Sequence, residues 1–242
     1  MRKIASIILS SLLVLSLVAC GNNQQEETTA QTPSSQTESH SATLTMDDNE
    51  TGGASAEEGS TSGGNILIAY FSVPETDGVD TVAGASRVVV DGEVLGNNQY
   101  IAQLIQEETG GDLFRIETVQ EYPGSHDPLL EFAYNEHAED ARPELATQIE
   151  NLDSYDVIFL GYPNWNSDLP MPLYTFLEEY DFSGKTIIPF TTHGGSRFSR
   201  TIQTIQQLQP DATVVEDGLS ISRNNVPDAQ NDVTEWVAGL DL

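Results

Sequence analysis

The chain has one cysteine, Cys20, in 242 residues. Without a second thiol there is no intramolecular disulfide, no thiolate-rich metal site and no dithiol redox pair. Basic residues are nearly as scarce: nine Lys and Arg stand against 38 Asp and Glu, a formal net charge of −29. Eight of those acids and two of the bases precede Asn65, so the rest of the chain carries 30 against 7, a net of −23. Such a surface repels phosphate backbones and anionic headgroups, which excludes a nucleic-acid partner and favours solubility outside the cell. Long apolar runs are also missing. The longest, Ile4–Val18, is diluted by Ser6, Ser10, Ser11 and Ser16 and is too short for a confident membrane span.

That run follows Arg2 and Lys3 and leads into Leu17-Val18-Ala19-Cys20, the pattern of a targeting segment with a small-residue cleavage site. It resembles a bacterial lipoprotein lipobox, which implies a signal peptide over residues 1–19 and lipidation of Cys20 at the outer face of the cell membrane. Residues 21–64 are rich in Gln, Thr, Ser, Glu and Gly, with no Lys or Arg and almost no large apolar residue. They cannot bury enough surface to offset chain entropy, so residues 20–64 read as a lipidated cysteine followed by a disordered tether. Fully stretched, about 44 residues reach on the order of 150 Å. Asn65 to Leu242 is the size of one globular domain.

Within that domain, Ile66–Phe71, Asp156–Gly161 and Thr186–Phe190 are strand-length apolar runs, covered on both faces as in a parallel sheet. Asp112–Val119 is a more polar strand suited to an edge, and Ala212–Val215 is a fifth. Helical spacing follows Gly96, Asp127, Pro172, Ile202 and Val233, with a further short helix expected over Pro143–Asn151. The alternation predicts an α/β fold: a doubly wound five-stranded parallel sheet. Right-handed crossovers then bring the ends of the first, third and fourth strands together. A long connection separates the first strand from its helix. It contains a hairpin turned on Asp91-Gly92 and reads as a flap over a ligand. His126 and His137 show no metal-ligand spacing and read as surface residues, and Trp236 lies at core spacing.

Three loops meet at that sheet edge. Ser72 with Gly96-Asn97-Asn98 offers hydroxyl, amide and backbone N–H groups at a helix N-terminus, a seat for a phosphate without the lysine of a Walker loop. Tyr162-Pro163-Asn164-Trp165 supplies a flat aromatic, and Thr192-His193-Gly194-Gly195-Ser196 a Gly-rich turn, as a planar heteroaromatic ligand requires. His193–Ser196 superficially resembles an esterase oxyanion motif, but no Gly-x-Ser-x-Gly nucleophile elbow accompanies it.

Tyr70-Phe71-Ser72, Gly96-Asn97, Asp112-Leu113-Phe114 and Ala141-Arg142-Pro143-Glu144-Leu145 are parts of a wider pattern. With Gly161–Trp165, Tyr174–Leu177 and Thr192–Ser196, the chain resembles the flavodoxin-like family, and more narrowly its extracytoplasmic lipoproteins. The resemblance implies bound FMN, with its phosphate at Ser72, Asn97 and Asn98 and its ring against Tyr162, Pro163, Asn164 and Trp165. Thr192, His193, Gly194, Gly195 and Ser196 would hold the ring's other edge. Binding at a strand-order switch is a rule that flavodoxins themselves illustrate, so it adds nothing independent. The family usually has Thr at Asn98, Trp at Asn166 and a small residue at Arg197, departures that bear on affinity and potential. With no second cysteine and no dense His/Cys cluster, the protein must handle electrons on a bound cofactor. The expected function is membrane-anchored electron transfer or an FMN-dependent oxidoreductase activity, with the redox partner unidentified. A surface-binding or adhesion lipoprotein on the same scaffold without FMN is the alternative.

Overall fold

The computed structural model describes residues 65–76 and 86–242. The targeting segment, Cys20, the tether and residues 77–85 of the long connection lie outside them. The chain enters through β1 (Ile66–Tyr70) and returns from the connection as a hairpin of β2 (Arg87–Val90) and β3 (Glu93–Gly96). It continues through α1 (Asn97–Thr109), β4 (Asp112–Arg115), α2 (His126–Ala138), β5 (Val157–Pro163), α3 (Met171–Glu179) and β6 (Thr186–His193). After α4 (Thr201–Leu208) come β7 (Thr213–Val214), β8 (Leu219–Ser222), a 3-10 turn at Arg223–Asp228 and α5 (Gln230–Ala238).

The sheet runs β4-β1-β5-β6-β7, all parallel, with β4 at one edge. This is the expected doubly wound order. The far edge is split, because β6 pairs with β7 at Thr186 and Ile187 and with β8 from Phe190 to His193. Pro189, which has no N–H to give, sits where the pairing changes partner. Only four residues of β8 pair, and its Leu219-Ser220-Ile221-Ser222 alternation is too short to have been read as a strand.

Period-two alternation sends side chains to two cores. Ile66, Ile68, Tyr70, Phe159, Ile188 and Phe190 pack under α1 and α5, against Ile101, Ile105, Val233 and Val237. Leu67, Ala69, Ile158, Leu160, Tyr162 and Ile187 face α3 and α4, against Leu173, Phe176, Leu177 and Ile205. Trp236 packs edge-on to Phe159, the core role its spacing implied.

One local expectation changes. Pro143–Asn151 is not a helix. Val119 N–H donates to Glu144 and Ala146 N–H to Glu117, so the segment lies antiparallel to the chain leaving β4, with Leu145 buried beneath it. The β2–β3 hairpin turns on Asp91-Gly92 as expected and is packed down, while the flap reading of the connection also covers residues 77–85, outside the described residues. Val88 and Leu95 are buried in the first core together with Val226 of the 3-10 turn. The base of the long connection is closed. Thr76 N–H donates to Gly124 O at 2.8 Å, Glu75 N–H to Ser86 Oγ at 3.0 Å, and Asn97 N–H to Ser86 O at 2.9 Å.

Gly161 sits mid-sheet beneath a ring. A Cβ there would lie 2.1 Å from Cζ of the fully buried Phe190, so β5 and β6 approach as they do only because the side chain is absent. Gly161→Ala should therefore destabilise the domain by about 1–3 kcal/mol by forcing that ring off its rotamer. Urea unfolding checks this through a lower midpoint at unchanged slope.

Candidate functional site

The carboxyl ends of β1, β5 and β6 are adjacent, and the loops leaving them are tied together. Phe71 N–H donates to Gly161 O, and Asn164 N–H donates to Thr192 O, both at 2.9 Å. Asn164 Nδ2 reaches on to Arg197 O at 2.6 Å and Ser199 Oγ at 3.3 Å.

Ser72 is buried against the start of α1, and a Cβ on Gly96 would meet its Oγ at 2.1 Å. Gln99 reaches back to Gly96 N–H at 3.2 Å, and Ser86 O takes the N–H of Asn97. The N–H groups of Asn98 and Gln99 lie in the first turn of α1, before any i−4 carbonyl of the helix, which makes an anion-compatible helix start. The Asn98 side chain has a further role. Its Nδ2 donates to Thr192 Oγ1 at 3.0 Å, bracing α1 against β6, while its buried Oδ1 has no hydrogen-bond partner among the described residues. The side chain expected to serve a phosphate is thus also a cross-brace.

The loop after β5 closes as a two-residue hairpin. Trp165 and Asp168 exchange both backbone hydrogen bonds, at 3.1 and 2.9 Å, and the residues between them, Asn166 and Ser167, have φ of 53° and 63°. This is a type I′ turn, which ordinarily calls for Asn-Gly or Gly-Gly. Serine at the second position is strained, by roughly 1–2 kcal/mol. The strain is held by Asp168, which is 1 % exposed. Its carboxylate accepts from Arg200 Nε at 2.8 Å, Tyr174 OH at 3.0 Å, Thr204 Oγ1 at 3.1 Å and Leu169 N–H at 2.9 Å. His137 Nε2 lies 3.4 Å away, so His137 is half-buried on this cluster and not a free surface residue. Burial pushes the Asp168 carboxyl up, but the bonds from Arg200, Leu169, Tyr174 and His137 outweigh it and hold the group below its ordinary value.

These loops enclose a cleft of about 230 Å³ lined by Pro163, Asn164, Trp165, Asn166, Thr192, His193 and Gly194. Sequence reading found six of those seven; Asn166 it knew only as a departure. It missed the opposite wall: Glu75, Ser86, His126, Leu129, Leu130 and Arg223. Nothing in their spacing marks them, because they come from the connection, from α2 and from the 3-10 turn. Three residues expected at the ring are not on the cleft. Tyr162 is fully buried, its hydroxyl donating to Thr201 Oγ1 at 2.9 Å. Ser196 is exposed and accepts from Ser199 Oγ. Gly195 lies off the cleft too, but its N–H anchors His193. Trp165 lines the cleft while its ring is also packed edge-on to Phe71 at 5.6 Å and tilted on Tyr122 at 5.8 Å. Ser72, Val73 and Pro74 face a neighbouring depression of about 380 Å³ shared with Arg115 and Tyr122, whereas Glu75 turns into the cleft. The helix start is nevertheless continuous with the cleft, since Asn98 is bonded to Thr192 and Asn97 to Ser86, both of which line it.

The two cleft imidazoles differ. His193 is 9 % exposed and its Nδ1 accepts the Gly195 N–H at 2.9 Å, so its proton must sit on Nε2. Burial, with the Arg197 charge, lowers its proton affinity below the ordinary value and keeps it neutral. His126 Nδ1 lies 3.0 Å from Oε1 of Glu75, which is 1 % exposed, so His126 too is a half-buried cleft residue and not a surface one.

The family model for flavodoxins matches residues 65–240 of this chain. No match is found among curated proteins. A flavoprotein from Bacteroides uniformis is 25% identical over 73% of this chain and 99% of its own, with a TM-score of 0.52. A flavoprotein from Bacteroides eggerthii is 24% identical over 70% of this chain and 97% of its own, at a TM-score of 0.47. A flavoprotein from Lactobacillus acidophilus, solved in complex with FMN, is 16% identical over 69% of this chain and 98% of its own, at 0.46. The chain belongs to the flavodoxin family.

Asp168 makes a testable contribution to stability. Because its folded value is depressed, its stabilisation is complete above the unfolded carboxyl value of about 4 and is lost as pH falls through the lower folded one. Asp168→Asn should lower stability at neutral pH and flatten the decline below about pH 4. Urea midpoints measured across that range check both.

Proposed function

We propose that this chain is an FMN-binding redox protein of the flavodoxin type, anchored outside the cell by lipid on Cys20. The observation that carries the cofactor reading is the joining of two half-sites. An α1 start with first-turn N–H donors beside Ser72 is bonded directly to the walls of a cleft faced by Trp165 and Asn164. FMN is the ligand class this arrangement fits, a flat heteroaromatic ring carrying a phosphate. Bound, it would supply the electron-carrying chemistry that the single cysteine cannot.

The residues have separable tasks. The N–H groups of Asn98 and Gln99, with Ser72 Oγ, would receive the phosphate. Asn98 and Thr192 fix the distance between that seat and the ring cleft. Pro163, Asn164 and Trp165 form one wall, and Trp165 is held in place by Phe71 and Tyr122. His193, neutral with its proton on Nε2, is a fixed hydrogen-bond donor for the opposite edge. Leu129 and Leu130 of α2 cover the cleft with apolar surface and restrict water. The redox partner is a matter for experiment, and the acidic domain favours a basic one at the docking stage.

The cleft is smaller than the 300–1,000 Å³ usual for ligand pockets, which is the observation that favours the alternative, a binding lipoprotein that carries no flavin. Titration of residues 65–242 with flavins separates the two readings. FMN should quench its fluorescence on binding at least tenfold more tightly than riboflavin, about 1.4 kcal/mol. Equal affinities would remove the phosphate from α1, and no binding of either would leave the alternative. Separately, Cys20→Ser should shift the full chain from the membrane to the soluble fraction with flavin binding intact. Retention on membranes after a high-salt wash would place the anchor elsewhere.

A further inference from the structure

The two histidines facing the cleft are wired in opposite senses. His193 accepts a backbone N–H at Nδ1, which fixes its proton on Nε2. His126 is paired at Nδ1 with a carboxylate, which needs a proton on Nδ1 and leaves Nε2 as the atom that gains or loses one. Among the described residues Nε2 of His126 makes no hydrogen bond, and the side chain is 31% exposed, so a proton can come and go from water. Glu75 is held by its backbone N–H on Ser86 Oγ, and the next residue is pinned to Gly124. The carboxylate therefore orients the ring from a fixed point. A buried carboxylate behind an imidazole whose far nitrogen is open to a ligand cleft is the arrangement of a positioned acid–base group.

We propose that His126, oriented by Glu75, is the proton-transfer residue of this cleft and couples two-electron reduction of the bound cofactor to uptake of one additional proton. The proposal rests on the FMN reading. Two-electron reduction leaves negative charge on the ring, inside a domain of net charge −23. A positive charge gained at His126 offsets it locally, because a nearby opposite charge favours the charged form. The other groups facing the cleft do not serve. Arg223 from the 3-10 turn is a fixed cation, as is Arg197, which lies off the cleft lining but acts on His193, and His193 is committed to Gly195. Asp127, next to His126 on α2, is exposed and does not line the cleft. On reoxidation, an organic acceptor takes two electrons and one proton from the reduced cofactor and its second proton from His126 Nε2. His126 then takes a proton from water again only at the next reduction. The acceptor class that fits is one needing two electrons together with two protons, as opposed to a metal centre that takes electrons alone.

The test is the two-electron midpoint potential of FMN-loaded protein, measured against pH for the wild type and His126→Asn. Asparagine can keep the hydrogen bond to Glu75 through Nδ2 but cannot titrate, so a merely structural role would survive the change. One additional proton taken up with the electrons steepens the slope by tenfold in the equilibrium constant per pH unit, about 30 mV. The wild type should show the steeper slope, and His126→Asn the shallower one. Equal slopes in the wild type and His126→Asn overturn the proton-transfer role while leaving the FMN reading intact. Failure of the wild type to bind FMN overturns both. Should His126→Asn not fold, as judged by its circular dichroism, His126→Gln is measured in its place, with the same two outcomes.

Discussion

One buried carboxylate holds the ligand edge of this domain in shape. Asp168 is hydrogen-bonded to Tyr174 on α3 and to Thr204 on α4, and it is ion-paired with Arg200, which immediately precedes α4. His137 on α2 closes the ring of partners. Removing such a charge from water is costly, and only this many donors make it tolerable. In return the hairpin that presents Trp165 is locked at both ends, with Asn166 and Ser167 kept in a backbone region neither would choose. Three helices are thereby referred to one point, and the loop after β5 takes its position from the layer beneath it rather than from its own sequence.

The second set of constraints runs across the strand ends. Asn98 to Thr192, Asn97 to Ser86 and Asn164 to Arg197 join α1, the connection and the two later loops into one frame. Each bond is individually worth about 1 kcal/mol. Their collective effect is geometric, since they set how far a helix N-terminus stands from an aromatic wall. A ligand with an anionic end and a flat end is matched by that spacing, and a ligand with only one of them meets half a site.

The connection between β1 and α1 shows how a long segment can be accommodated without loosening a site. Its two ends are stitched at Thr76–Gly124 and at Ser86 with Glu75 and Asn97, and its hairpin is packed into the core through Val88 and Leu95. Loop-closure cost grows only slowly with length, so such segments cost little once their ends are fixed. What the connection contributes to the cleft is Glu75 and Ser86 at its base. These convert His126, on a helix 51 residues further along the chain, into a cleft residue.

The fold was legible in the sequence because its signals are local. Apolar runs of strand length at Ile66, Asp156 and Thr186, separated by helical spacing, leave few arrangements open. The strand-end loops were legible for the same reason, and Pro163, Asn164, Trp165, Thr192, His193 and Gly194 do line the cleft. Pairings made across the fold were not legible. The helix expected at Pro143–Asn151 lost to backbone bonds with Glu117 and Val119, partners that only tertiary proximity supplies. Tyr162 looked like part of a ligand loop, yet strand alternation turned it inward to Thr201. His126 and His137 looked like solvated histidines because their carboxylates, Glu75 and Asp168, lie 51 and 31 residues away. Composition and periodicity determine which face of an element is buried, since they act over a few residues. Which polar group meets which is decided by chain segments that become neighbours only when the sheet has formed.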